Sequence, residues 1–65
     1  MHIYLNGEKR STDADNISEL LAELGMEGRM IAIERNLEVV PKSTYAETEL
    51  AEGDRVEIVH MIGGG

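Results

Sequence analysis

Sixty-five residues make one thin domain. A chain of this size buries only about 60% of the surface that its unfolded form exposes, which leaves no room for a deep, walled active site. Thirteen acidic against six basic side chains give a formal charge of −7 and argue against nucleic acid, whose phosphates must be neutralised by Lys and Arg. Cysteine is absent, so disulfides, thiolate metal sites and cysteine nucleophiles are excluded, and no apolar run approaches the ~20 residues of a membrane span.

The first residues, Met1-His2-Ile3-Tyr4-Leu5, carry no basic flank or long apolar core, so no signal peptide is read and a soluble cytoplasmic protein is expected. His2 to Leu5 alternates as a short strand, with Ile3 and Leu5 on one face and Tyr4 on the other. Asn6-Gly7 then forms the pair best suited to a type I′ turn, since both residues tolerate positive φ. Glu8 to Thr12 returns as a polar partner strand without a large apolar residue, which suits an edge.

Ile17, Leu20, Leu21 and Leu24 stand at i, i+3, i+4 and i+7, which places four aliphatic groups on one face of a helix. Asn16 serves as N-cap, Glu19 three residues on resembles the second half of a capping box, and Gly25 is a natural stop. Asp13-Ala14-Asp15-Asn16 superficially suggests a calcium loop. Ser18 and Leu24 stand where that pattern needs Gly and Glu, so capping is the better account.

Met30 to Ile33 is a continuous apolar strand, Arg35-Asn36 a turn, and Glu38-Val39-Val40 a short strand ended by Pro41. Ser43 to Thr48 reads as irregular, with Tyr45 filling a gap beneath it, and Glu52-Gly53-Asp54 as a further turn. The last strand, Arg55 to Ile62, sets Val56 and Ile58 on one face and Val59 and Met61 on the other. Such a strand belongs in the middle of a sheet. Three glycines, Gly63, Gly64 and Gly65, close the sequence. Lacking Cβ atoms, they let the backbone thread a narrow channel and leave the terminal carboxylate as the reactive group. The bland alternative is a frayed end.

The order of hairpin, helix, strand, short strand, loop and long strand predicts an α+β fold of the β-grasp, ubiquitin-like kind. It has a mixed sheet of four to five strands crossed by one helix. Residues 1–62 would form the domain and 63–65 a flexible tail.

The segments Glu34-Arg35-Asn36, Val39-Val40-Pro41, Glu52-Gly53-Asp54 and Glu57-Ile58-Val59-His60, in that order ahead of three glycines, resemble the ThiS family of small sulfur carriers of thiamine biosynthesis. The resemblance runs from Tyr4-Leu5-Asn6-Gly7 to Gly65. It implies that an E1-like adenylyltransferase uses ATP to activate the Gly65 carboxylate, that a sulfur-donor enzyme converts the acyl-adenylate to a thiocarboxylate, and that thiazole synthase takes the sulfur. The chain would then be a protein co-substrate and not an enzyme, binding no cofactor of its own, with ATP used by the activating partner. Gly63, Gly64 and Gly65 would enter the partners' active sites.

Other residues carry competing readings. Two isolated histidines, His2 and His60, make no metal-ligand pattern, and no Ser or Cys nucleophile has sequence support as a partner for His60 acting as base. Arg35 either pairs with a neighbouring acid or touches a partner. Tyr4, Val59 and Met61 form either a partner surface on the sheet face away from the helix or ordinary partial burial. Two alternatives to the thiazole carrier stay open: a sulfur carrier for molybdopterin synthesis, and a non-catalytic β-grasp interaction module whose glycines are incidental.

Overall fold

The computed structural model describes residues 1–61 of the chain. Its first strand, β1 (His2–Leu5), pairs antiparallel with β2 (Glu8–Ser11) through a turn in which Asn6 and Gly7 have φ of 50° and 86°. Both values are positive, as the type I′ reading requires. All four residues of β2 are exposed, which fits its edge position.

The helix α1 spans Ile17–Leu24. The Asn16 side chain accepts from the Glu19 N–H at 2.8 Å, closing one of the orphan donors of the first turn. The Glu19 carboxylate accepts from the N–H of Asp15 at 2.8 Å, one residue earlier than in a standard capping box. Gly25 ends the helix in the left-handed region, and the next N–H, that of Met26, reaches back to the Leu21 carbonyl. Three of the four stripe residues are buried; Leu24, in the last turn, is half-buried and flanks the core.

After the helix come β3 (Ile31–Arg35), β4 (Glu38–Val39), a 3₁₀ helix (Lys42–Glu47) and β5 (Arg55–His60). The strand order is β2-β1-β5-β3-β4, with β5 central, parallel to β1 and antiparallel to β3. This is the expected mixed, α+β β-grasp sheet with one helix packed across it. Ile3, Ile17, Leu20, Ile33 and Val56 are its fully buried large side chains, and Leu50, Val40 and Ile58 close the cluster.

Two expectations need correction. The β3–β4 turn is centred on Asn36-Leu37, at φ of 51° and 70°, and not on Arg35-Asn36. Arg35 remains in β3 opposite Glu38, so the turn lies one residue later and puts a leucine where glycine is the usual choice. The segment read as irregular from Ser43 to Thr48 holds a 3₁₀ helix from Lys42, started by Pro41 and tied by the Thr44 N–H to the Pro41 carbonyl at 2.9 Å. Tyr45 packs against the core there, as expected. The last residue of the predicted final strand, Ile62, and the predicted tail, Gly63 to Gly65, lie outside the described residues.

Candidate functional site

The central strand delivers the chain to its last residues, and its start is held firmly. Asp54, nearly fully buried, precedes β5 and accepts from the Arg35 Nε at 2.8 Å, the Asn36 Nδ2 at 3.0 Å and the Ala51 N–H at 2.8 Å. Asn36 also accepts from the Arg55 N–H at 2.9 Å and donates its own N–H to the Arg55 carbonyl at 2.8 Å. Burial alone would raise the Asp54 carboxyl. The hydrogen bonds from Asn36, Ala51 and Arg35, with the Arg35 charge, outweigh it and hold the pKa below its ordinary value. Arg35 therefore pairs with an acid, which settles the choice the sequence left open.

On the opposite side of β5, Asn6 performs a second task beyond its turn. Its N–H donates to the Val56 carbonyl at 2.9 Å, and its side-chain oxygen accepts from the Ile58 N–H at 2.8 Å. The first half of β5 is thus bonded on both sides. The sheet places its even-numbered residues toward the helix, where Val56 and Ile58 are buried, and its odd-numbered residues on the open face.

The proposed surface residues divide on that open face. Val59 and Met61 are 60% and 52% exposed, and Ala32 sits opposite Val59 across the β3–β5 pair. The Met61 N–H donates to the Met30 carbonyl at 2.9 Å, which continues the register and adds Met30, 59% exposed, to the patch. Tyr4 is half-buried and lies beside Arg55, four residues from Val59 along the strand and so about 13 Å away. The Arg55 guanidinium sits 5.2 Å from its ring centroid, a cation–π contact. The structure thus brings Val59 and Met61 together with Met30 and leaves Tyr4 at the other end. Met30 opens the apolar run that leads into β3, and only the strand register brings it beside Met61.

His60 is exposed at the end of β5, on the helix side, next to Ile31. His2 is also exposed, with Nδ1 3.7 Å from a Glu52 carboxylate oxygen. Among the described residues, no three His, Cys, Asp or Glu side chains gather as a metal-holding group, and no helix is long and apolar enough to cross a membrane. Asp13 and Asp15 are exposed and bond through their backbone instead. The Asp13 N–H donates to Glu23 at 3.3 Å and the Asp15 carbonyl accepts from the Leu50 N–H at 2.9 Å.

A five-stranded β-grasp sheet with one helix across it, followed in the sequence by a run of glycines, defines a ubiquitin-like class of fold. The comparisons with known proteins narrow that class. The chain matches the model of the ThiS family over residues 3–65, and it belongs to that family. The sulfur carrier protein ThiS of Bacillus subtilis is 42% identical over 97% of this chain and 98% of its own length. A thiazole synthase of Paramagnetospirillum magneticum is 50% identical over 66 residues, and one of Magnetococcus marinus 46%. This chain spans only about a fifth of the length of these two, 20% in each. In solved form, the thiamine biosynthesis protein ThiS of Geobacter metallireducens superposes with a TM-score of 0.85 at 32% identity, each chain fully covered.

Proposed function

We propose that this protein is a sulfur carrier of thiamine biosynthesis that bears its sulfur on the carboxylate of Gly65. The observation that carries the reading is the run Glu57-Ile58-Val59-His60 of the central strand leading into Gly63-Gly64-Gly65, in a chain matched to the ThiS family along nearly its whole length. A carboxylate is a poor electrophile. Attack of its oxygen on the α-phosphate of ATP forms an acyl-adenylate and releases pyrophosphate. A sulfur nucleophile then displaces AMP and leaves a thiocarboxylate. The chain has no cysteine, so no side-chain thiol can carry the sulfur as a persulfide.

The chain is the co-substrate of this chemistry. An E1-like adenylyltransferase and a sulfur-donor enzyme load it, with ATP spent by the former and no cofactor held by the carrier. Thiazole synthase unloads it, a pairing supported by relatives in which a counterpart of this chain is part of a thiazole synthase. Gly63 and Gly64 give the carbonyl passage into a tight pocket without side-chain obstruction. Val59 and Met61, with Met30, supply an apolar contact beside the passage, and Tyr4 a separate one. Residues 1–62 act as the handle and 63–65 as the reaching segment, in the cytoplasm.

Deletion of Gly65 tests the reading. With an adenylating enzyme, ATP and a sulfur source, the full chain acquires a thiol-reactive group and the truncated chain acquires none. Retained loading in the truncation would refute the proposal. The interaction-module alternative predicts unchanged partner binding and cellular function on removal of Gly64 and Gly65.

A further inference from the structure

The second half of β5 has an open backbone edge. Residues of this strand alternate in the direction of their N–H and C=O groups. The Met61 N–H reaches the Met30 carbonyl, and the Arg55 carbonyl receives the Asn36 N–H, so the odd-numbered residues bond on the β3 side. Even-numbered residues point the other way, toward β1. There the register of β1 with β5 ends at Leu5 opposite Val56, because the chain turns back at Asn6-Gly7. Asn6 supplies a side-chain oxygen to the Ile58 N–H in place of a strand. Beyond it the Ile58 carbonyl and the N–H and carbonyl of His60 have no ladder partner among the described residues.

The two outer edges of the sheet are protected in ordinary ways. β2 carries Glu8, Lys9 and Arg10, and β4 has two residues followed by Val40 and Pro41. The open stretch from Ile58 to Met61 has no proline, no lysine and no bulge, and apolar Val59 and Met61 flank it on the open face. An unprotected edge of this kind is a template for an added strand.

We propose that an extended segment of thiazole synthase adds as a strand along Ile58 to His60, bonding the free His60 N–H and the Ile58 and His60 carbonyls. The inference rests on the partner reading above and specifies how that partner holds the carrier. The occupant follows from two facts. The edge runs directly into the residues that must enter the synthase, and relatives hold a counterpart of this chain within a thiazole synthase chain. Alternate residues of the added strand lie against Val59 and Met61, so they are apolar or small. Backbone bonding at His60 fixes the direction of the chain five residues before Gly65, within about 18 Å of extended reach. A grip on backbone leaves the glycines free of specificity contacts.

The test measures binding of the intact carrier to purified thiazole synthase, without any loading step. His60→Pro removes the free N–H and leaves the bonds of Val59 and Met61 to β3 in place. It weakens binding about tenfold or more, the loss of a backbone bond and of strand alignment. His60→Ala, which keeps the N–H, recovers most of that loss. Should the proline variant fold poorly, a semisynthetic chain N-methylated at His60 makes the same change with the side chain kept. Amide exchange at His60 slows in the wild-type complex. Wild-type carrier that fails to bind the synthase overturns the partner reading and this inference with it. Binding that leaves the His60 amide unprotected, and is unmoved by proline or N-methylation, overturns the strand addition alone.

Discussion

The two halves of β5 are one strand with opposite surroundings. At its start, Asp54 and Asn36 bind backbone and side chains from one side and Asn6 from the other, so Arg55 and Val56 are fixed in a closed network. Four residues later the strand is bonded on the β3 side alone, with no ladder partner for His60 among the described residues, and Val59 and Met61 are half exposed or more. An anchored start and a one-sided finish fit the proposed role, in which the far end of the strand is presented to another protein. Stability is invested at Val56, and reach is gained at Met61.

Truncation should separate the halves most strongly. Val56 is fully buried, so Val56→Ala removes packing and leaves a cavity, at a cost of about 2–3 kcal/mol. Val59→Ala, on the open face of the same strand, should stay within about 0.5 kcal/mol. Urea unfolding of the two variants checks the contrast. Equal losses would mean that the open face is as important to the fold as the core.

Asp54 sharpens the comparison through pH. Its folded pKa lies below the ordinary value of 3.8, so its contribution is complete above that value and is lost as pH falls through the lower folded one. Asp54→Asn keeps the shape but gives up the charge that Arg35 pairs with, and should cost about 1–2 kcal/mol at pH 7. The gap between variant and wild type narrows below pH 4. Thermal unfolding at pH 7 and pH 3 measures it, and a gap independent of pH would remove the charge from the account.

A smaller effect than those at Val56 and Asp54 lies at the β3–β4 turn. Leu37 holds φ of 70° with 87% of its surface exposed, a conformation that costs an L residue about 1 kcal/mol or more. Leu37→Gly should therefore raise stability by up to about 1 kcal/mol, seen as a melting temperature a few degrees higher. A decrease would show that the leucine side chain contributes to the folded state.

That turn also marks the limit of what local sequence could say. Asn6-Gly7, the Ile17 to Leu24 stripe and the Asn16 and Gly25 ends were legible because each signal sits within a few residues of the structure that it specifies. Local sequence sets the Asn36-Leu37 turn one residue early because leucine gives no sign of positive φ. The Lys42–Glu47 3₁₀ helix is hidden for a similar reason: its signal is a proline followed by residues of mixed preference. The Asp54 clasp joins residues 18 and 19 apart, and the Asn6 bond to Ile58 spans 52, so only the assembled sheet could reveal them. For the proposed site, the glycines are plain in the sequence, whereas the association of Met30 with Val59 and Met61 emerges from strand register.

The most direct measurement is the mass of the intact protein after incubation with ATP, an adenylating enzyme and a sulfur source, followed by thiol alkylation and fragmentation. Alkylation is needed because oxidation of any of the four methionines nearly matches the exchange of oxygen for sulfur. The account predicts one alkylated group, localised to Gly65 and absent from a chain that lacks it. A terminus left as an ordinary carboxylate by partners that load another ThiS protein would contradict it.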